Sequence, residues 1–268
     1  MVGTIAGMSV LITGGGSGIG EATARYFVAG GARVTICGRR AHKIDAVVAD
    51  LGSACLGVVG DVTNHDDRER ILSAAIQHGG DKLDLLVNNA ANIYRGAIET
   101  LVEPELVDLF TTNVIAPMLL TGLASAALGV SKGCVVFLGS VHTQRAFPGV
   151  AAYAATKGAV ESLTGVLAAE LGPRGIRVGC VRPGAVLTEI NERAGVATTE
   201  TAADYLQRLA SSHALGRVGT GSEVAEAIEY LALAQWTTGA VLTVDGGLGL
   251  GVTNIAPRAN GEEGELYE

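Results

Sequence analysis

Charge is scarce in this chain. Asp, Glu, Lys and Arg make up 17% of its 268 residues, against 48% apolar residues. So apolar a composition excludes a disordered chain, and the length supports one large buried core or two small ones. Basic residues are the scarcer sign, with 19 Lys and Arg against 27 Asp and Glu and a net charge of −8. A surface that tracks nucleic-acid phosphates needs the opposite balance, and a polybasic membrane patch is also missing. Neither nucleic acid nor membrane is therefore expected as a partner. No stretch of about 18 apolar residues runs without glycine or polar breaks, so no spanning helix is expected. The N-terminus has no basic start before its apolar run, which argues against a secretory leader. Cysteine is rare as well. Cys37, Cys55, Cys134 and Cys180 form no Cys-x-x-Cys pair and have no metal-like spacing with the five histidines. They read as small buried hydrophobes in a reducing cytoplasm, and no metal is expected.

Glycine is what the chain has in excess: 38 residues with no Gly-x-y repeat. Short apolar runs alternate with longer helical patterns. Strand-like runs fall at Val10 to Thr13, Arg33 to Cys37, Cys55 to Gly60, Leu83 to Val87, Cys134 to Leu138, Ile176 to Val181 and Ala240 to Val244. Helical patterns fall at 19–29, 41–51, 64–77 with Asn64 as N-cap, 103–129 with Pro104 in the first turn, 151–171 and 222–232. Strands that are apolar throughout are buried on both faces. Their alternation with helices predicts one doubly wound α/β domain over 1–251, with a seven-strand parallel sheet. The polar segment 185–221 follows a strand's carboxyl end, where such folds place substrate lids. The tail 252–268, which carries Glu262, Glu263, Glu265 and Glu268, reads as mobile.

The first strand leads into Thr13-Gly14-Gly15-Gly16-Ser17-Gly18-Ile19-Gly20 and then a helix. Glycines leave room for close approach of a ligand, and the helix N-terminus offers free N–H groups to a pyrophosphate. In this strand–loop–helix context the loop predicts dinucleotide binding, with Gly14, Gly16, Ser17, Gly18 and Ile19 as the cradle. The second strand ends in Cys37-Gly38-Arg39-Arg40, without the carboxylate that would hold the ribose hydroxyls of NAD. A guanidinium attracts a 2′-phosphate, so Arg39 favours NADP, with NAD still possible if Arg39 only stacks over adenine.

Tyr153 and Lys157 stand four apart on a helix, hence on one face. A neighbouring ammonium lowers a phenol's pKa, which would make Tyr153 a usable general acid or base. Alone, the pair is nearly as well read as an exposed helical pair. Ser140 ends the fifth strand, at the edge facing the ligand crevice, and its hydroxyl can steady a developing alkoxide. Asn113 lies within a helix, where Asn is a poor former. It could kink the helix and hold a water near Lys157, or it is an ordinary polar core residue.

Taken together, Thr13 to Gly20, Asp61-Val62, Asn88-Asn89-Ala90, Asn113, Ser140, Tyr153 to Lys157, Arg182-Pro183-Gly184 with Thr188, and Val244-Asp245-Gly246-Gly247 resemble the short-chain dehydrogenase/reductase family of the Tyr-x-x-x-Lys type. The resemblance covers residues 8 to about 250. It implies a Rossmann sheet of order 3-2-1-4-5-6-7 with helices on both faces. It implies Tyr153 as the proton carrier at the reacting oxygen, Ser140 beside it, Lys157 also on the nicotinamide ribose, and Asn113 holding a proton-relay water. Asp61 and Val62 would meet the adenine, and Asn89, Ala90 and Ala91 the adenosine side. Pro183, Gly184, Val186 and Thr188 would flank the nicotinamide carboxamide. Relatives associate through the two long helices, which implies a homodimer or homotetramer. The chain departs from the family pattern at Ala91, where glycine is usual, in a short segment before Thr238, and in its longer tail.

Substrate contacts are expected from Ser140, Tyr153, His142, Phe147 and Val150, although His142 also reads as a structural histidine. These mostly apolar candidates suggest a small or medium ketone or secondary alcohol, reduced with NADPH. Reduction of an activated C=C bond, an NAD-linked alcohol oxidation, and a non-catalytic dinucleotide sensor or scaffold are the rivals. A wider Tyr–Lys spacing would favour an enoyl reductase, and a sensor typically loses the pair.

Overall fold

The computed structural model describes residues 3–186 and 209–251. Thr188, most of the 185–221 segment and the tail 252–268 lie outside the described residues. The strands are β1 (Ser9–Thr13), β2 (Arg33–Gly38), β3 (Cys55–Val59), β4 (Leu85–Asn88), β5 (Cys134–Leu138), β6 (Arg177–Pro183) and β7 (Ala240–Val244). All neighbours pair in parallel, in the order β3-β2-β1-β4-β5-β6-β7. Register places Val10 beside Val34 on one flank and Leu85 on the other. The helices are α1 (Gly18–Ala29), α2 (Ala41–Leu51), α3 (His65–His78), α4 (Glu103–Phe110), α5 (Ala116–Ser131), α6 (Ala151–Leu171) and α7 (Gly221–Leu233).

Successive residues of a strand face opposite sides, and both sides of this sheet are covered. Val10 and Ile12 pack in one layer with Phe27, Ile44 and Ile228, under α1, α2 and α7. Leu11 packs in the other layer with Ile71, Leu120 and Val160, under α3, α5 and α6. Fully burying one such side chain contributes about 1.5–3 kcal/mol. This is why the strands read as unbroken apolar runs. The chain winds outward from β1 to β3 and then returns to β4 on the other side of β1. The order therefore reverses between β1 and β4, and a crevice opens at their carboxyl ends.

The helices begin and end for local reasons. Asn64 caps α3, its side-chain oxygen accepting from the Asp67 N–H at 3.0 Å. Thr220 and Glu223 form a reciprocal capping box at the start of α7. The helix predicted over 103–129 is interrupted by a π turn at Thr111–Ile115, where the Ala116 N–H reaches the Thr111 carbonyl five residues back. Pro117 explains the interruption. It has no N–H to offer the Asn113 carbonyl four residues earlier, and its ring crowds that carbonyl.

By length and composition the continuous helix Glu103–Ser131 could cross a membrane. This corrects the expectation of no such stretch: Gly122 and Gly129 interrupt the apolar run without making it polar. Leu109, Leu120, Ala124 and Leu128 on this helix are buried, as in a core helix, whereas Val107, Met118, Leu119 and Leu123 are exposed.

Candidate active site

The loop between β1 and α1 is held in shape by the end of β4. The Thr13 hydroxyl accepts from the backbone N–H groups of Asn89 and Ala90, at 3.0 and 2.9 Å. The Asn89 amide donates to the Thr13 and Gly14 carbonyls, at 2.8 and 3.2 Å. This close approach explains two glycines. Gly14 has φ +68°, and a Cβ there would stand 3.0 Å from the Ala90 Cα. At Gly20 a Cβ would stand 2.4 Å from the Gly14 carbonyl oxygen. Ser17, in extended conformation before α1, makes no side-chain capping bond.

A groove of about 200 Å³ runs along this loop, lined by Gly14, Gly16, Ser17, Gly18, Ile19, Arg39, Asp61, Val62, Asn89, Ala90 and Ala91 among others. Every residue expected at the pyrophosphate and adenosine end is therefore brought together. Two further cations, Arg40 and Lys43, line the same groove. Arg40 donates to the Ser17 hydroxyl at 2.9 Å, and the Arg39 guanidinium lies 3.7 Å from the Asp61 carboxylate. The glycine cradle, the free helix N-terminus and this basic rim fit an adenine dinucleotide.

Ile19, Asn89 and Ala91 also line a second cavity, of about 160 Å³, so the two form one cleft. The second part holds Ser140, His142, Phe147, Tyr153, Lys157, Pro183, Gly184 and Val186, as expected. It also holds Leu209, from the segment expected to cover the substrate, and Arg95 and Leu248, which the strand and helix patterns did not place there. Val150 is not among its lining residues. It is buried at the N-terminal edge of α6, where its carbonyl accepts from the Ala154 N–H, and this corrects its assignment to substrate.

The reactive groups are fixed from several sides. Ser140 follows β5, and its hydroxyl sits beside the Tyr153 phenol and favours its ionised form. It also accepts from the His142 N–H at 3.3 Å. The next turn is tied by Thr143, which donates to Glu161, and Glu161 pairs with Arg182 at 2.7 Å. Lys157 Nζ donates to the Leu138 carbonyl at 2.7 Å and lies 5.6 Å from the centre of the Tyr153 ring.

Burial dominates both protonation states. It pushes the Tyr153 phenol up to about 12, against the Ser140 hydroxyl and the Arg95 charge, which pull it down. It lowers Lys157 to about 8. The expectation that Lys157 makes the phenol acidic is thus not met. Desolvation of both groups outweighs their proximity. Asn113 is buried in the π turn. Its Oδ1 accepts from the Asn92 N–H at 2.8 Å, and its Nδ2 donates to the Asn92 carbonyl at 2.9 Å and to Thr156 Oγ1 at 3.1 Å. It therefore adjoins Lys157 through the neighbouring Thr156 and clamps the loop after β4.

A doubly wound sheet, a glycine cradle at its switch point and a Ser–Tyr–Lys cluster opening into the same cleft define a dinucleotide-dependent oxidoreductase. Comparison with known proteins agrees. Residues 14–249 match the family model described as Enoyl-(Acyl carrier protein) reductase. An uncharacterized oxidoreductase of Methylorubrum extorquens is 36% identical over 90% of this chain and 98% of its own length. Glucose 1-dehydrogenase of Gluconobacter oxydans is also 36% identical, over 91% of this chain and 93% of that one. The crystal structure of a 3-ketoacyl-(acyl-carrier-protein) reductase from Brucella melitensis, complexed with NADH, superposes with a TM-score of 0.83. It shares 31% identity and covers 92% of this chain and all of that one. The chain belongs to the short-chain dehydrogenase/reductase family, whose members transfer hydride between a nicotinamide cofactor and a CH–OH/C=O pair.

Proposed function

We propose that this protein interconverts a small or medium ketone and its secondary alcohol with NADP(H), chiefly in the direction of reduction. The observation that carries the reading is the single cleft that joins the glycine loop to Ser140, Tyr153 and Lys157. A bound nicotinamide supplies or accepts the hydride. The chain's own residues handle the rest. Tyr153, with its proton firmly held at neutral pH, donates it to the carbonyl oxygen, and Ser140 hydrogen-bonds that oxygen. Lys157, anchored on the Leu138 carbonyl, brings positive charge to the place where the oxygen becomes negative. Arg39, Arg40 and Lys43 around the adenosine end support NADP over NAD. Pro183, Gly184 and Val186, which line the same cavity as Tyr153, would flank the nicotinamide.

The same reading includes a homodimer or homotetramer, supported by the exposed apolar faces of the long helices. It also includes a cytoplasmic location, supported by four unpaired buried thiols. The name of the matched family model favours one second reading, reduction of an activated C=C bond, although the spacing of four between Tyr153 and Lys157 favours the carbonyl.

The test is a panel of ketones, secondary alcohols and enones with NADPH, NADH and the oxidised cofactors, followed by nicotinamide absorbance. Ketone reduction with NADPH is expected to exceed that with NADH. Tyr153→Phe is expected to lower it by a factor of about 10² or more. Turnover confined to enones, or full activity in Tyr153→Phe, would displace the reading.

A further inference from the structure

The cavity around Tyr153 carries more positive charge than proton transfer to a carbonyl requires. Lys157 is one cation. Arg95, from the irregular segment after β4, is a second. No carboxylate lines the cavity among the described residues. Arg95 makes no hydrogen bond or ion pair among the described residues, and its Nε is buried without a partner. A buried guanidinium nitrogen without a partner is costly, and it is kept where a ligand completes it. Arg95 lines this cavity and not the groove beside the glycine loop, which has its own cations in Arg39, Arg40 and Lys43. It is therefore placed for the substrate and not for the cofactor's phosphates.

A second unfilled group lies in the same cavity. The Nδ1 of His142 is buried and also lacks a partner. The ring cannot turn freely. It rests against Phe147 at 4.8 Å between centres and stands edge-on to Tyr153 at 5.7 Å. Burial, helped by the Arg95 charge, lowers its pKa to about 4, so it is neutral at physiological pH. In the tautomer that carries its proton on Nδ1, it is a neutral donor set beside the cation.

We propose that the substrate is an oxo acid, or in reverse a hydroxy acid, whose carboxylate is received by Arg95 with His142 donating a further hydrogen bond while its carbonyl oxygen lies at Tyr153. This rests on the reading of the cleft as a carbonyl-reduction site and names the chemical class it serves. The carbonyl carbon gains a hydride from the reduced nicotinamide and its oxygen gains the Tyr153 proton. The carboxylate keeps its charge throughout. A planar guanidinium suits a planar carboxylate, and fixing one end of a short substrate orients the carbonyl at the other.

The test pairs straight-chain oxo acids, with one to three methylene groups between carbonyl and carboxylate, with their methyl esters. The whole protein is assayed with NADPH. The acid of at least one pair is expected to be reduced with a kcat/KM roughly tenfold or more above its ester. Arg95→Leu is expected to lower kcat/KM for that acid by roughly 10- to 100-fold more than for its ester, and Arg95→Lys to keep part of the preference. Equal losses on acid and ester, or a wild-type preference for esters, would overturn the proposal.

A binding arm separates this from failure of the enzymatic reading. Tyr153→Phe protein loaded with NADPH is titrated calorimetrically with the same acids and esters, with and without Arg95→Leu. Acids that bind more tightly than esters only while Arg95 is present support the proposal even if no compound in the panel turns over. Equal binding of acids and esters overturns it even if ketones are reduced.

Discussion

Arg39 and Arg40 are neighbours with different attachments. Arg40 reaches back to the Ser17 hydroxyl in the glycine loop. Arg39 stands more than half exposed at the mouth of the groove, with Asp61 its nearest anion. A 2′-phosphate would give Arg39 a dianionic partner in place of a carboxylate 3.7 Å away. Arg39→Asp is therefore expected to weaken NADPH binding by roughly tenfold or more, with NADH binding little changed or improved, as read by fluorescence titration. An unchanged NADPH affinity would remove the cofactor preference from this residue. The protonation states belong to this scale too. Tyr153 at about 12 and Lys157 at about 8 are both displaced toward their neutral forms, the signature of burial. A neutral phenol beside Ser140 is a proton donor, which accords with reduction more than with oxidation. Spacing in the sequence placed Tyr153 and Lys157 on one helix face correctly. It could not weigh desolvation against proximity, because burial depends on the β5 and β6 edges packed around them.

The π turn between α4 and α5 links one element's geometry to the site. Pro117 leaves the Asn113 carbonyl without its usual helical partner, and the helix widens there. The Asn113 side chain then holds both backbone groups of Asn92, next to Ala91 in the cleft. Asn113→Ala would leave that backbone pair unsatisfied. It is expected to cost about 2 kcal/mol or more in urea unfolding and to weaken NADPH binding in parallel. An unchanged unfolding midpoint would show that other contacts hold the loop. At this scale the regular elements were legible: strands buried on both faces and helices with Asn64 or Pro104 at their starts announce themselves locally. The π turn was legible only as one of two readings of Asn113, a kink there, because its cause lies in a proline four residues beyond that asparagine. Arg95 escaped for a related reason. It sits in a loop without periodicity, and only the path of that loop across the end of the sheet brings it to Tyr153.

For the whole molecule the question is what covers the long helices. Their inner faces are spent on the sheet, with Leu120, Ala124 and Leu128 on α5 and Val160 and Ala168 on α6. Their outer faces remain apolar. Val107 on α4, Met118, Leu119 and Leu123 on α5, and Val166 on α6 are exposed. The same outer face accounts for a helix apolar enough to pass for a membrane span while packing on a core. Exposed apolar residues on these helices suit an interaction surface, and the proposed partner is a second copy of the same chain. Burying it would recover about 25 cal/mol for each Å² of apolar area removed from water. The proposed association therefore predicts a mass of two or four chains by light scattering at micromolar concentration. Leu119→Glu combined with Leu123→Glu should shift the protein toward a monomer, because each new carboxylate would have to be buried at the contact. Circular dichroism should stay unchanged, since both positions face away from the sheet. A wild-type protein that is monomeric at these concentrations would leave the apolar face to some other partner.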